Sequence, residues 1–428
     1  MHTIYMVAGL FVFAALGMPV AFVILLVTML MFFSVGTIPL MALTQHVVGG
    51  VDSFILLAVP LFILAAKVMN SGRITDQIFQ FAGALVGHIK GGLAHVNVLA
   101  SLIFAGISGS AVADAAGLGE IEIKAMREAG YDAPFSAAIT ATSSTIGPIF
   151  PPSVPMVIFG GLTGTSIAAL FIGGAVPGIA MAAFLMGASY LLARRRGYPS
   201  ETWPGLPGIL RAFRKAFFAI LSPVIVLGGI VTGVTTPTEA AVIAVLYSLF
   251  LSMLFTRTVR LRDLPRLFVE TGVETGVLML IVGGVAAFSW VLTYQMIPQT
   301  LMEHLFAYTK DPRLVMLLIV LVLLVLGCFM NPTPGLVVSV PFLVPLAEEV
   351  GIDLVHLGVL MVLVLAIGLV TPPVGLCLFI VARIAEVDVS VIVREAFPFI
   401  VALVLVALLV AFVPPLTLAL PALLLGKG

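Results

Sequence analysis

The sequence predicts an all-α polytopic membrane protein organised as an inverted repeat, with two re-entrant helical hairpins and two broken helices. Three observations carry this expectation. The 428 residues are 61% hydrophobic and 9% charged, against roughly 45–50% and about 25% in soluble domains. Apolar segments interrupted by Gly, Pro, Ser and Asn follow one another along the whole chain. Finally, Ile146-Gly147-Pro148-Ile149-Phe150-Pro151-Pro152 returns as Ile367-Gly368-Leu369-Val370-Thr371-Pro372-Pro373 (146 to 367, a shift of 221). Twenty Lys plus Arg balance twenty Asp plus Glu, so there is no basic footprint for nucleic acid. At about 20 apolar residues per span the length allows roughly nine to twelve membrane elements and no large soluble domain.

Taken in order, the first apolar stretch runs from about Val7 to Phe33, too long for a signal-peptide core and without a basic segment before it. Further helices are expected near residues 52–70, 93–107, 135–150, 166–193, 217–234, 238–256, 275–297, 314–330, 335–347, 355–370, 374–385 and 396–414. Several are too short to span alone, and such interrupted pieces survive at membrane depth only where protein or a wet cavity satisfies the freed backbone groups. The first repeat covers 1–193, with a hairpin at about 93–127 and a broken helix at about 135–158. A connecting segment, 194–237, carries an extra helix from about Phe217 to Val234. The second repeat covers 238–428, with a hairpin at about 314–349 and a broken helix at about 355–385.

Basic residues set the relative orientation of the halves. Arg257, Arg260, Arg262 and Arg266 fall where the shifted window of the first half, Gly36 to Gln45, has no Lys or Arg. The Arg194-Arg195-Arg196 cluster maps onto Pro415-Leu416-Thr417. Because Lys and Arg favour cytoplasmic loops, corresponding loops lie on opposite sides, and the extra helix supplies the odd crossing that inversion requires.

The breaks are where chemistry is expected. The first hairpin rises to Ser108-Gly109-Ser110 and descends to polar Glu120, Glu122, Lys124 and Arg127; the second turns at Asn331-Pro332-Thr333-Pro334-Gly335. Prolines at 332 and 334 remove backbone donors, and unwound carbonyls with helix ends are how transporters hold sodium near midplane. The predicted sodium ligands are Ser108, Ser110, Ser144, Thr145, Gly147 and Ile149 in the first half, and Gly327, Asn331, Thr333, Gly368, Val370 and Thr371 in the second, giving at least two ion sites. Ser110, Asp114, Ser153, Thr333 and Pro373 are the candidate substrate residues. Asp114, one turn beyond Ser110, either binds ion or substrate hydroxyls or fixes the hairpin to a neighbour. Small and hydroxyl residues in membrane helices also serve close packing alone. Thr236-Pro237-Thr238-Glu239 has the composition of a helix start. With no Arg at the tips, carboxylate neutralisation is expected from sodium and backbone N–H groups, Arg383 being the nearest basic residue and better read as an end anchor. Cys328 and Cys377 have no metal-ligand or redox spacing, and no Walker A string occurs.

Ser108-Gly-Ser-Ala-Val-Ala-Asp114, Ser143-Ser-Thr-Ile-Gly-Pro-Ile-Phe-Pro-Pro-Ser153, Thr236-Pro-Thr-Glu-Ala240, Asn331-Pro-Thr333 and Ile367-Gly-Leu-Val-Thr-Pro-Pro373 together span nearly the whole chain. This set resembles the large membrane subunit (the M or DctM-like subunit) of tripartite ATP-independent periplasmic (TRAP) transporters. The resemblance implies a multi-pass protein of the bacterial inner membrane, not an enzyme, that takes up an organic acid such as a C4-dicarboxylate or sialic acid. It implies Na+ coupling without ATP, an elevator mechanism, a periplasmic substrate-binding protein and a separate small four-helix membrane subunit. The family position matching Asn331 commonly carries Asp, which bears on the tip's charge here. Two rivals stand beside it: a stand-alone sodium–dicarboxylate carrier, and an intramembrane serine protease using Ser108 of Gly106-Ile-Ser-Gly109, for which His304 and His356 are the downstream bases.

Overall fold

The computed structural model describes residues 18–35, 39–70 and 74–426, with positions 9 and 13. The expected first span lies outside the described residues for most of its course before position 18. From there the described chain is helical: α1 (Val20–Val35), α2 (Leu40–Val51), α3 (Ala58–Asn70), α4 (Ile74–Val86), α5 (Gly92–Ser108), α6 (Ala111–Glu128), α7 (Ala133–Ser144), α8 (Val154–Thr163) and α9 (Ile167–Arg196). It continues through α10 (Gly205–Val231), α11 (Pro237–Phe250), α12 (Leu264–Tyr294), α13 (Ile297–Phe306), α14 (Pro312–Gly327), α15 (Pro332–Glu349), α16 (Leu354–Gly368), α17 (Leu376–Ala385), α18 (Val389–Phe412) and α19 (Pro415–Leu424). Among the described residues five helices are long and apolar enough to cross a membrane (α9, α10, α11 with its π-helical extension, α12 and α18), or six if α2 and the following 54–70, bent by 58°, form one span.

Local chemistry explains the interruptions. Helix α5 stops because Gly109 adopts a left-handed conformation (φ 59°) and returns its N–H to Ala105 O, a conformation nearly free for glycine only. Ser110 then opens α6, its side chain accepting from Ala113 N at 3.4 Å. Helix α7 ends before Pro148, Pro151 and Pro152, and Ser153 caps α8 by accepting from Met156 N. In the second half α14 ends at Gly327, extended Asn331 precedes α15, and α16 stops ahead of Thr371-Pro372-Pro373. The Pro151–Pro152 and Pro372–Pro373 bonds are both cis. Pro332 and Pro334 do not unwind the tip: they sit in the first turn of α15, where a missing N–H costs nothing.

The 221-residue shift reaches well beyond the motif. It carries α6 from 111–128 onto α15 at 332–349, and α5, α7, α8 and α9 onto α14, α16, α17 and α18 within a few residues. Packing is reciprocal between the two sets. Helix α8 lies on α15 while α17 lies on α6, and α18 lies on α7 while α9 lies on α16. Outside this block, α12 packs on α1, α2 and α3, α11 on α3, and α10 on α4, forming a wall that meets the block where α4, α3 and α10 pack on α5, α3 on α8, and α12 on α15. One asymmetry is plain: α2 and α3 bend at Asp52-Ser53, whereas the corresponding stretch of α12 is continuous.

Four helices fall outside both the apolar runs and the expected hairpins and broken helices: α2, α4, α13 and α19. They are short, and α4 and α13 carry polar residues through their length. Helix α10 begins at Gly205 rather than near 217, because its first turns hold Arg211, Arg214 and Lys215 on an otherwise amphipathic helix. Helix α12 likewise starts before the apolar run, on a turn braced by the Arg266–Glu270 pair at 2.7 Å.

Candidate functional site

Both hairpin tips open onto one cavity of about 590 Å³. Ser108, Gly109, Ser110 and Ala111 line it from the first hairpin, and Asn331, Pro332, Thr333 and Pro334 from the second, with Pro148 and Leu369 from the two helix breaks. The opposite side is the wall: Ile63, Ala66, Lys67 and Asn70 of α3 face Glu274, Val277, Leu278 and Ile281 of α12. Lys67 Nζ meets Glu274 Oε2 at 2.9 Å, with the side chains 28% and 52% exposed. Among the described residues they are the only charged ones lining the cavity.

At the first tip, hairpin and break are in backbone contact. A Cβ on Gly109 would lie 2.6 Å from the Pro152 carbonyl oxygen, and one on Gly147 would lie 3.0 Å from the Ser110 carbonyl carbon and 3.1 Å from the Ala111 nitrogen. Ser108 Oγ is buried and has no hydrogen-bond partner among the described residues. Ser144 and Thr145 are buried at the end of α7, donating to Ala141 O at 2.7 Å and Thr142 O at 2.6 Å, with Cys377 beside the Ser144 hydroxyl. The first tip therefore presents an orphaned hydroxyl, with its backbone in contact with the break at Gly147 and Pro152. The Ile149 carbonyl points elsewhere, toward Gly174 of α9.

The second tip uses another contact. A Cβ on Gly368 would fall 2.2 Å from the carbonyl carbon of Gly327 and 2.5 Å from its oxygen, so α14 and α16 touch main chain to main chain. Thr371 Oγ1 donates to Ile367 O at 2.9 Å. Asn331 precedes α15 without a side-chain capping bond and is exposed to the cavity, so its amide is free to meet a ligand. Val370 is buried beside Thr371.

Of the candidate substrate residues, Ser110 and Thr333 line the cavity; Asp114, Ser153 and Pro373 do not. Ser153 caps α8 and donates to Pro148 O, and Asp114 is 1% exposed within the hairpin. The N-termini of α6 and α15 both start at the cavity, so backbone N–H groups and partial positive charge face it from two sides. No Arg lines the cavity among the described residues, as expected; Lys67, paired with Glu274, lines it from the wall. Sequence reading passed Lys67 over because only the fold brings the end of α3 opposite residues 108 and 331. Arg383 lies exposed on α17, away from the cavity. His356 Nδ1 is hydrogen-bonded to Thr417 Oγ1 at 2.7 Å, not to Ser108. The Thr236–Glu239 motif is a capping box, Thr236 N donating to Glu239 Oε2 at 2.8 Å.

The family model described as the tripartite ATP-independent periplasmic transporter, DctM component, matches residues 7–416. The chain is similar to the sialic acid TRAP transporter large permease protein SiaM of Vibrio cholerae, 44% identical over 412 residues and covering 96% of each chain. It is also 39% identical to the C4-dicarboxylate TRAP transporter large permease protein DctM of Pseudomonas aeruginosa over 370 residues, 86% of this chain and 87% of that one. Among solved structures it resembles the Alcanivorax borkumensis YdaH transporter, with a TM-score of 0.59 over 86% of each chain and 16% identity, a likeness of fold.

Proposed function

The chain belongs to the DctM component family of tripartite ATP-independent periplasmic transporters, and from that premise we propose that it carries out sodium-coupled uptake of an organic acid across the bacterial inner membrane. A periplasmic binding protein delivers the acid, and a small four-helix membrane subunit braces the permease. The cargo is a C4-dicarboxylate or a sialic acid, the classes named for the relatives above, or another sugar acid.

The observation that carries this reading is the single cavity shared by both hairpin tips and faced by Lys67. Sodium at the first tip sits among Ser108, Ser110, Ser144, Thr145 and the break carbonyls near Gly147; at the second, among Asn331, Thr333, Thr371 and the main chain of Gly327, Gly368 and Val370. Each ion draws hairpin and break together and completes a seat for an anion, which then meets the N-termini of α6 and α15 and the Lys67 ammonium. Ion and cargo therefore raise each other's affinity, as linkage requires. The reciprocal packing of the two halves supports an inverted repeat. In an elevator the repeated block, α5–α9 with α14–α18, moves against the wall of α1–α3 and α10–α12.

Uptake into proteoliposomes tests this, measured with and without an inward sodium gradient and with and without the binding protein. Uptake requiring both is expected. Full uptake without the binding protein identifies a stand-alone carrier, and full uptake without sodium removes the coupling.

A further inference from the structure

The wall of the cavity carries a charge arrangement that the ion sites do not explain. Lys67, in the last turn of α3, and Glu274, in the first half of α12, meet at 2.9 Å, and both line the cavity. Ionisable residues inside membrane helices are costly, and they pair with one another where a substrate or ion passes. Shifted by 221, Lys67 falls on Phe288 and Glu274 on Ser53, so the pair is no part of the repeated hairpin machinery. Glu270, one turn before Glu274, is within reach of the Lys67 charge, but Arg266 already holds it at 2.7 Å and it does not line the cavity. Glu274 is therefore the acid that sets the charge of the cavity.

Its effect follows from counting charges. Without cargo, the Lys67 ammonium and the Glu274 carboxylate cancel, leaving the partial positive charge of the α6 and α15 N-termini. A cargo carboxylate that reaches Lys67 must share that ammonium with Glu274, and the cavity then holds more negative charge than its side chains balance. Carboxylates crowded together away from bulk water repel strongly, and bound sodium is the cation that offsets the surplus. Were Glu274 neutral, Lys67 alone would balance a carboxylate, and the anion would settle with the ion sites empty.

We propose that Glu274 makes cargo binding conditional on sodium: by holding Lys67 in the empty cavity, it denies the anion a ready counter-charge until cations reach the hairpin tips. This role rests on the uptake reading above and names the residue that enforces its coupling. The two side chains are 28% and 52% exposed, so an incoming carboxylate can approach the ammonium without unpacking α3 from α12, and screening keeps the effect modest.

Initial uptake of labelled succinate or sialic acid into proteoliposomes, each delivered by a binding protein loaded with it, is titrated with external sodium. Relative to wild type, Glu274→Gln should lower half-saturating sodium and, at low sodium, KM for the acid, each by about two- to fivefold. It should also raise the uptake left at zero sodium. Glu274→Asp, which keeps the charge, should retain the sodium requirement, and Glu270→Gln, outside the cavity, should match wild type. Lys67→Ala separates coupling from a structural role. With the ammonium gone Glu274 only repels, so Lys67→Ala/Glu274→Gln should recover part of the KM that Lys67→Ala loses. A pair that merely ties α3 to α12 predicts raised KM and unaltered sodium dependence in Glu274→Gln, and a double variant no better than Lys67→Ala; either result overturns the proposal. Sodium-dependent wild-type uptake with an identical Glu274→Gln curve removes this inference alone. Wild type without sodium-dependent uptake removes the uptake reading and this inference with it.

Discussion

Adding one methyl group at Gly368 forces apart the main-chain contact at which the second ion site is proposed. The new Cβ would lie 2.2, 2.4 and 2.5 Å from the carbonyl carbon, Cα and oxygen of Gly327. Carbon atoms rest at about 3.5–4.0 Å, so α14 must retreat from α16 by more than about 1 Å, and the obstacle is main chain that no rotamer change can clear. Overpacking of this kind costs about 1–3 kcal/mol. If that cost falls on the sodium-ready arrangement, half-saturation by sodium rises about 5- to 140-fold, at about 1.4 kcal/mol per tenfold. The assay is a sodium titration of initial uptake rate in proteoliposomes with saturating loaded binding protein, beside thermal unfolding in detergent. Gly187→Ala is the control, because nothing lies within 4 Å of its added Cβ and alanine is the better helix former by about 1 kcal/mol. A Gly368→Ala protein that titrates like Gly187→Ala would refute the claim that main-chain contact at Gly327 shapes an ion site.

Four further outcomes follow from the same geometry. Lys67→Ala should raise KM for the delivered acid by about tenfold, with Lys67→Arg recovering part of it. Its unfolding temperature should barely move, since a partly exposed pair contributes about 1 kcal/mol at most. Ser108→Ala, Ser110→Ala, Asn331→Ala and Thr371→Ala should each shift the sodium titration; Ser110→Ala should also lower stability by about 1 kcal/mol through its lost cap. Cys377→Ala should leave the sodium curve in place, although its buried position predicts a small drop in thermal stability. Glu239→Ala should lower stability by about 1 kcal/mol through the broken capping box, with KM and sodium dependence unchanged in the uptake assay.

The helix breaks were legible because Gly, Pro and capping residues act locally: Gly109, Ser110, Ser153 and the Pro-Pro pairs dictate where helices stop and restart whatever surrounds them. A repeat multiplies that signal, and the shift read from seven residues aligns five pairs of helices. What escaped is what only packing decides. Apolar runs miss helices whose polar face begins the element, as in α10 with Arg211 and Arg214, or that are short and mixed, as in α4. Lys67 becomes a site residue only when α3 is set opposite the tips. Glu122 reads as one more polar residue beside Glu120 and Lys124, yet α6 turns it inward while leaving those two exposed. The prolines at 332 and 334 misled in the opposite direction, since a residue that breaks a helix interior also starts one.

Equilibrium binding of radiolabelled sodium to the purified chain tests most directly whether paired hairpins and breaks hold the coupling ions. The account predicts saturable binding of at least two ions per chain, one lost in Ser108→Ala and a different one weakened in Gly368→Ala. No saturable binding, or binding that neither substitution alters, would contradict it.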